Sequence, residues 1–236
     1  MTHGSCGYPP HRPGPDRPRP GEMPPIVPAA PAAAREIFGE RLGMAECYAR
    51  RLAGPGIERG LLGPAEIARI WPRHILNCAV VAELVPRPGT LVDIGSGAGL
   101  PGIVLAILLP DVAVTLVEPT LRRSAFLTEC VEELRLANAV VRRARAEDLA
   151  GEISADVVTA RAVAPLRRLA GWALGLTRPG GTILALKGDR AKEELQQAQS
   201  VLRRLGARHA EILRVGHGRV EPGTVVVRIV AGDGGR

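Results

Sequence analysis

The chain is short of three things: cysteine, lysine and aromatic side chains. Its four cysteines, Cys6, Cys47, Cys78 and Cys130, lie far apart and form no Cys-x-x-Cys pair, which argues against both a zinc site and a disulfide framework. Reduced thiols and no bound metal are expected. No stretch approaches the roughly 18 consecutive apolar residues of a membrane-crossing helix, and the first residues lack the apolar run of a secretion signal. A soluble, cytoplasmic protein without membrane partners is expected. The aromatic complement is Tyr8, Phe38, Tyr48, Trp71, Phe126 and Trp172, and a core will claim most of it. Few rings then remain to stack on single-stranded RNA, so an RNA substrate would have to be a structured one. The only lysines are Lys187 and Lys192, so the net charge of +7 rests on arginine. A basic surface suits nucleic acid, although arginine-rich codon usage produces the same excess.

What is present is enough apolar material, 46% of 236 residues, for the core of one good-sized domain with an additional N-terminal segment. Residues 1–31 are dominated by proline, glycine and arginine and are expected to be a disordered tail, with Arg12, Arg17 and Arg19 as its cationic groups. Residues 32–88 read as a helical lead-in: Ile37, Phe38, Leu42 and Ala45 recur at helical spacing, a break follows at Gly54-Pro55-Gly56, and further helix starts from Pro64 and Pro72. Residues 89–236 change to short apolar runs alternating with longer helical ones, the pattern of βαβ units and a mostly parallel sheet. Strands are predicted at 91–95, 112–118, 139–143, 156–161, 182–187, 209–215 and 224–230, and helices at 101–109, 121–136, 165–176 and 191–205. The connection between the last two strands is too short for a crossover helix, so they should pair antiparallel. The fold class is α/β, with a seven-stranded sheet ending in an antiparallel strand.

The chemistry begins at Asp93-Ile94-Gly95-Ser96-Gly97-Ala98-Gly99, where a strand ends in three glycines and Pro101 is placed to open the next helix. Glycines let a backbone approach a ligand closely, and a helix N-terminus offers free N–H groups to an anion. In a shifted frame, Gly97 to Gly102 also satisfies Gly-x-Gly-x-x-Gly, and Glu118 stands about 20 residues on, as a nicotinamide cofactor would require. The loop alone leaves both cofactors open. Its neighbours favour one of them. The frame starting directly after the strand resembles the first motif of class I (Rossmann-like) methyltransferases, and Glu118 then closes the second strand, where its carboxylate can accept both ribose hydroxyls. Glu147-Asp148 follows the third strand, where such folds hold the adenine ring, and Arg178-Pro179-Gly180-Gly181-Thr182 turns tightly into the fifth.

A narrower resemblance lies in Asp93 to Ile103, Arg145-Ala146-Glu147, Arg161-Ala162-Val163-Ala164, Ala185-Leu186-Lys187-Gly188 and Arg73-His74-Ile75-Leu76-Asn77. Together they resemble the motifs of the RsmG, or GidB, family of small-subunit ribosomal RNA methyltransferases, from about Ala32 to Val230. One departure is Ala49-Arg50-Arg51, where the family commonly has Lys-Trp-Asn. The resemblance implies methyl transfer from S-adenosyl-L-methionine to N7 of a guanine in a decoding-region loop of 16S ribosomal RNA, within the small subunit or an assembly intermediate. It places the cofactor contacts on Gly95, Leu100, Glu118, Pro119, Thr120, Ala146, Glu147 and Arg161, with Asp93, Gly97 and Gly99 completing the loop.

Guanine N7 carries an in-plane lone pair and no proton, so its attack needs no general base; alignment and electrostatic fit must supply most of the rate. Consistent with this, the fourth strand ends Arg161-Ala162-Val163-Ala164-Pro165 and not in the Asn/Asp-Pro-Pro-aromatic motif of amino-group methyltransferases. Arg122, Arg123, Arg143, Arg145, Arg161, Lys187 and Arg190 gather at the same edge as an RNA-facing rim, with Arg123, Arg161 and Lys187 expected to position the substrate. Arg161 is expected to pair with Glu147 or the cofactor carboxylate, and His74 to make a structural hydrogen bond. The remaining alternatives are a different RNA substrate, a nicotinamide oxidoreductase, or a non-catalytic assembly factor on the same fold.

Overall fold

The computed structural model describes residues 27–233. Most of the expected tail, with Arg12, Arg17 and Arg19, lies outside the described residues. Packing begins before residue 32: the Trp71 indole N–H donates to the Pro28 carbonyl at 2.8 Å, and Ala30 is buried. The lead-in contains α1 (Ala32–Phe38), α2 (Leu42–Arg51) and α3 (Leu76–Ala79). The break expected at Gly54-Pro55-Gly56 does not occur. The chain passes through these residues in a wide π turn, Leu52–Gly56, and does the same at Ile70–Ile75 around Pro72. A widened turn accommodates a proline ring that would clash with the carbonyl four residues earlier in a regular α-helix.

Seven strands follow: β1 (Gly89–Ile94), β2 (Val112–Val117), β3 (Ala139–Arg142), β4 (Ala155–Arg161), β5 (Thr177–Lys187), β6 (Ala207–Val215) and β7 (Thr224–Ala231). They form one sheet in the order β3-β2-β1-β4-β5-β7-β6, with β7 antiparallel to both β5 and β6 and the other pairings parallel. β5 begins five residues earlier than predicted, because Thr177 already pairs with Ala155 before the Pro179-Gly180-Gly181 segment bulges out and pairing resumes at Thr182. The crossover helices are α4 (Gly102–Leu108), α5 (Leu121–Glu133), α6 (Leu166–Leu176) and α7 (Ala191–Arg204). α5 stops short of Leu136: Arg135 takes a positive φ of 52° and the Leu136 N–H reaches back to the Val131 carbonyl, closing the helix end.

Alternation along the strands explains the layering, since successive side chains of a strand point to opposite faces. Leu91, Val157, Leu184 and Val226 face a core built with α4, α5 and the lead-in. Val92, Val158, Ile183 and Val227 face the core under α6 and α7. Phe38, Tyr48, Leu52 and Trp71 lie in the first of these cores, so the lead-in is one wall of the domain. Among the described residues no helix is long and apolar enough to cross a membrane.

Candidate active site at the carboxyl edge of the sheet

After β1 the chain turns through Gly95, Gly97 and Gly99 with φ of 62°, 57° and 96°, in the left-handed region that glycine tolerates best. Their surroundings differ. A Cβ on Gly95 would meet the Val163 side chain at 2.8 Å, and one on Gly99 would meet Ile103 at 2.5 Å and the Tyr48 hydroxyl at 2.8 Å. A Cβ on Gly97 would have only the Gly95 carbonyl nearby, at 3.7 Å. Gly95 and Gly99 therefore allow close packing of the protein on itself, and Gly97 is the glycine that borders open space.

The loop's own hydrogen bonds hold it in shape. Ser96 N–H donates to the Val117 carbonyl, Gly99 N–H to the Ser96 carbonyl at 2.6 Å, and Ile103 N–H to the Gly99 carbonyl. Gly102 N–H donates to Asp93 Oδ2 at 3.1 Å. Of the N–H groups expected to be free at the start of α4, those of Gly102, Ile103 and Leu105 are thus engaged within the protein.

Asp93 also differs from expectation. It is 0% exposed, and its other oxygen, Oδ1, accepts from the Thr159 hydroxyl at 3.0 Å, directly across the β1–β4 pairing. Placed among the cofactor contacts by its motif, Asp93 instead lies beneath the loop and fastens it to β4 and α4. Burial raises its carboxyl pKa to about 7, against the pull of hydrogen bonds from Ser96, Thr159 and Gly102.

Tyr48 is a site residue that sequence reasoning missed. It is fully buried on α2, and its hydroxyl donates to the Ala98 carbonyl at 2.6 Å, so the lead-in props the glycine loop from below. The available signal was a polar-tipped ring on the apolar stripe of Phe38, Ala45, Tyr48 and Leu52, since a buried tyrosine hydroxyl needs a partner.

At the end of β2, Glu118 is 2% exposed and spans the loop: Oε2 accepts from Gly97 N–H at 3.1 Å and Oε1 from Thr120 N–H at 3.0 Å. Pro119 and Thr120 beside it are exposed, and Leu100 is buried. Ala146 is buried at the start of a 3₁₀ turn, Ala146–Leu149, with Glu147 exposed next to it. These residues cluster at the carboxyl ends of β1, β2 and β3, where open α/β sheets bind ligands.

A cavity of about 650 Å³ opens beside them at the ends of β4 and β5. Arg161 and Lys187 both line it, with Asn77, Arg190, Glu194 and Gln197. Val163 lines it too, and the same Val163 packs against Gly95, so cavity and glycine loop share a wall. Ala162, also in the lining, has a φ of 55°, a conformation unusual for a residue with a Cβ. Lys187 Nζ donates to Glu194 Oε2 at 2.8 Å and to the Ala164 carbonyl at 3.0 Å. Burial pushes the Glu194 carboxyl up, but the hydrogen bonds from Lys187 and the Leu166 N–H outweigh it and leave the pKa lowered.

Arg161 is not paired with Glu147. Its guanidinium turns to the lead-in and meets His74 Nδ1 at 2.6 Å, the carbonyls of Arg73 and His74 at 3.4 Å each, and Cys78 Sγ at 3.2 Å. The lead-in supplies a nearer set of acceptors than the loop after β3. Arg123 is not brought together with Arg161 and Lys187: it is exposed at the start of α5, outside the lining of this cavity. Among the described residues, Arg122, Arg123, Arg143 and Arg145 have no carboxylate within ion-pair distance.

Comparison with known proteins bears on this site. The family described as rRNA small subunit methyltransferase G matches residues 41–221. A ribosomal RNA small subunit methyltransferase G of Thermobifida fusca is 58% identical over 197 residues, covering 84% of this chain and 83% of that protein. One of Streptomyces avermitilis is 54% identical over 208 residues, covering 88% of this chain and 87% of the relative. Among solved structures, a SAM-dependent O-methyltransferase of Thermotoga maritima has a TM-score of 0.55 at 14% identity, over 72% of this chain and 71% of that one. An O-methyltransferase family protein of Burkholderia thailandensis has a TM-score of 0.55 at 16% identity, over 85% of this chain and 70% of that one. At such identities the structural likeness speaks for the fold alone.

Proposed function

This chain belongs to the rRNA small subunit methyltransferase G family, whose members are S-adenosylmethionine-dependent methyltransferases of 16S ribosomal RNA, and we propose that its acceptor is N7 of a guanine in the decoding-region loop. The chain is accordingly a methyltransferase, with S-adenosyl-L-methionine as its cofactor. The observation that carries the acceptor reading is the shared wall. Val163 separates the glycine loop from a cavity lined by four cationic side chains, Arg73, Arg161, Lys187 and Arg190, so a base in that cavity lies next to whatever the loop holds.

The residues suit the cofactor. Each Glu118 oxygen accepts one loop N–H and keeps a second lone pair for a hydroxyl of a ribose diol, Gly97 leaves open space above the loop, and Glu147 stands exposed to meet an adenine amino group. Gly95, Leu100, Pro119, Thr120 and Ala146 complete the wall, and Asp93, Gly99 and Tyr48 keep its shape. When bound, S-adenosyl-L-methionine supplies an electrophilic sulfonium methyl group.

On the acceptor side, the lone pair of guanine N7 is available at neutral pH without proton removal, so these side chains need only hold and orient the base. Arg161 and Lys187 donate toward guanine O6 or a flanking phosphate and orient the base with N7 toward the loop. Arg122, Arg123, Arg143 and Arg145, without a carboxylate partner among the described residues, form a rim for phosphates of the surrounding RNA.

Recognition of a folded particle, the small subunit or an assembly intermediate, is supported by the fate of the rings. Phe38, Tyr48, Trp71 and Phe126 are all buried, and Trp172 is half-buried with the Arg168 guanidinium over its face. Among the described residues, stacking on flexible single strands therefore has little to work with.

The test uses purified small subunits that lack the modification. Lys187→Met keeps the apolar stem and removes the charge; it should leave cofactor affinity unchanged and lower kcat/KM for methyl transfer by about tenfold or more. A Lys187→Met protein that methylates at the original rate removes Lys187 from the acceptor site.

A further inference from the structure

We propose that His74 is a positioning residue, holding the Arg161 guanidinium at the cavity as the middle member of a chain Glu66–His74–Arg161. The proposal rests on the reading that Arg161 lines the acceptor site. Its geometry determines the histidine's tautomer. A guanidinium has only donors, so Arg161 Nη2, 2.6 Å from His74 Nδ1, requires a lone pair on Nδ1. The ring proton then sits on Nε2 and is donated to Glu66 Oε2 at 2.7 Å. Glu66 is held in turn by Arg73 at 3.7 Å and Arg69 at 3.8 Å. The His74 side chain is only 5% exposed, so water does not compete for either nitrogen.

Of the four acceptors around Arg161, His74 Nδ1 is the nearest, at 2.6 Å. The two carbonyls stand at 3.4 Å, and a thiol sulfur is a weak acceptor. The choice of acceptor also matters electrostatically. A carboxylate in this place would fix the arginine and neutralise it; a neutral imidazole fixes it and leaves its charge for the substrate. Among the described residues Arg161 has no carboxylate partner.

Protonating His74 would place an N–H against the arginine's own donors and a second positive charge beside the first. The charged groups facing His74 are Arg161 from β4 and Glu66 and Arg73 from its own segment; burial and then Arg161 lower its pKa, against the pull of Glu66. The positioning is thus complete at neutral pH and lost on acidification.

The experiment compares His74→Leu, His74→Gln, Arg161→Ala and the His74→Leu/Arg161→Ala double variant. Melting temperature, cofactor affinity, and kcat and KM on unmethylated small subunits are measured for each. His74→Leu should fold and bind cofactor normally and lose about tenfold in kcat/KM. His74→Gln should recover most of that loss, because an amide can accept from Arg161 and donate to Glu66. In the Arg161→Ala background His74→Leu should cause no further loss. Equal losses in both backgrounds, or no loss in His74→Leu while Arg161→Ala is impaired, overturn the proposal and leave the acceptor reading standing. An unimpaired Arg161→Ala protein overturns both. The rate profile adds a readout that a purely structural role would not move. The wild-type protein should show an acid limb that His74→Gln lacks, whereas the Asp93 titration near neutrality is common to both. Identical profiles contradict the proposal.

Discussion

Burial holds the Asp93 carboxyl far above the usual carboxylate range, outweighing its neutral hydrogen-bond donors and the more distant Arg161 charge, and this has a measurable consequence for stability. An unfolded aspartate ionises near 3.9, so between about pH 4 and pH 7 the folded protein keeps a proton that the unfolded chain has lost. The Asp93 contribution to stability therefore falls as pH rises through that window. His74 acts with the opposite sign, since its folded pKa is lowered and its contribution grows as pH rises toward its ordinary value. The useful quantity is thus the difference between wild type and Asp93→Asn. Over pH 5 to 8 the wild-type melting temperature should drop relative to that of the variant, and a constant difference would contradict the assignment. At this scale the sequence was informative about which residues matter and less so about what they touch. Asp93 and Glu118 stand out by their spacing from the glycines, but the same pattern serves a residue that faces a ligand and one that holds the loop from beneath. Arg161 was visible as a cation needing a partner, and its partner, His74, lies 87 residues away in the chain.

The elements of the sheet and its four crossover helices were legible almost to their ends, because their apolar periods are strong and their boundaries carry glycine and proline. The lead-in was not. Gly54-Pro55-Gly56 reads locally as a break and Pro72 as a helix start, whereas in the fold the π turns around them are held by Leu52, Ala53, Ile70 and Trp71 buried in the sheet's core. Tertiary packing overrides the local signal there. The position of β7 between β5 and β6 likewise depends on long-range pairing, although the antiparallel contact of the last two strands was predictable from their short connection. What the lead-in does for the site can be tested at Tyr48. Tyr48→Phe keeps the ring and removes the bond to the Ala98 carbonyl, leaving that carbonyl short of a donor. The variant should lose about 1 kcal/mol of stability and show weaker cofactor binding by isothermal titration calorimetry. Unchanged affinity would mean that the loop holds its shape without the lead-in.

At the scale of the whole molecule, two surfaces of different chemistry meet along one sheet edge. The ends of β1, β2 and β3 present acidic and small groups, and the ends of β4 and β5 present Arg161 and Lys187 over a cavity, with a rim of arginines that have no carboxylate partner among the described residues. The lead-in reaches both regions, through Tyr48 under the glycine loop and through His74 behind Arg161. That division of labour fits methyl transfer to a nucleophile that needs no base, on an RNA held mainly by its phosphates and its fold. The most direct test is to map N7-methylguanine in 16S ribosomal RNA from cells with and without this gene. One modified guanine in the decoding-region loop should be present in the first and absent from the second, and should return when the gene is restored. An unchanged pattern of N7-methylguanine would contradict the central claim.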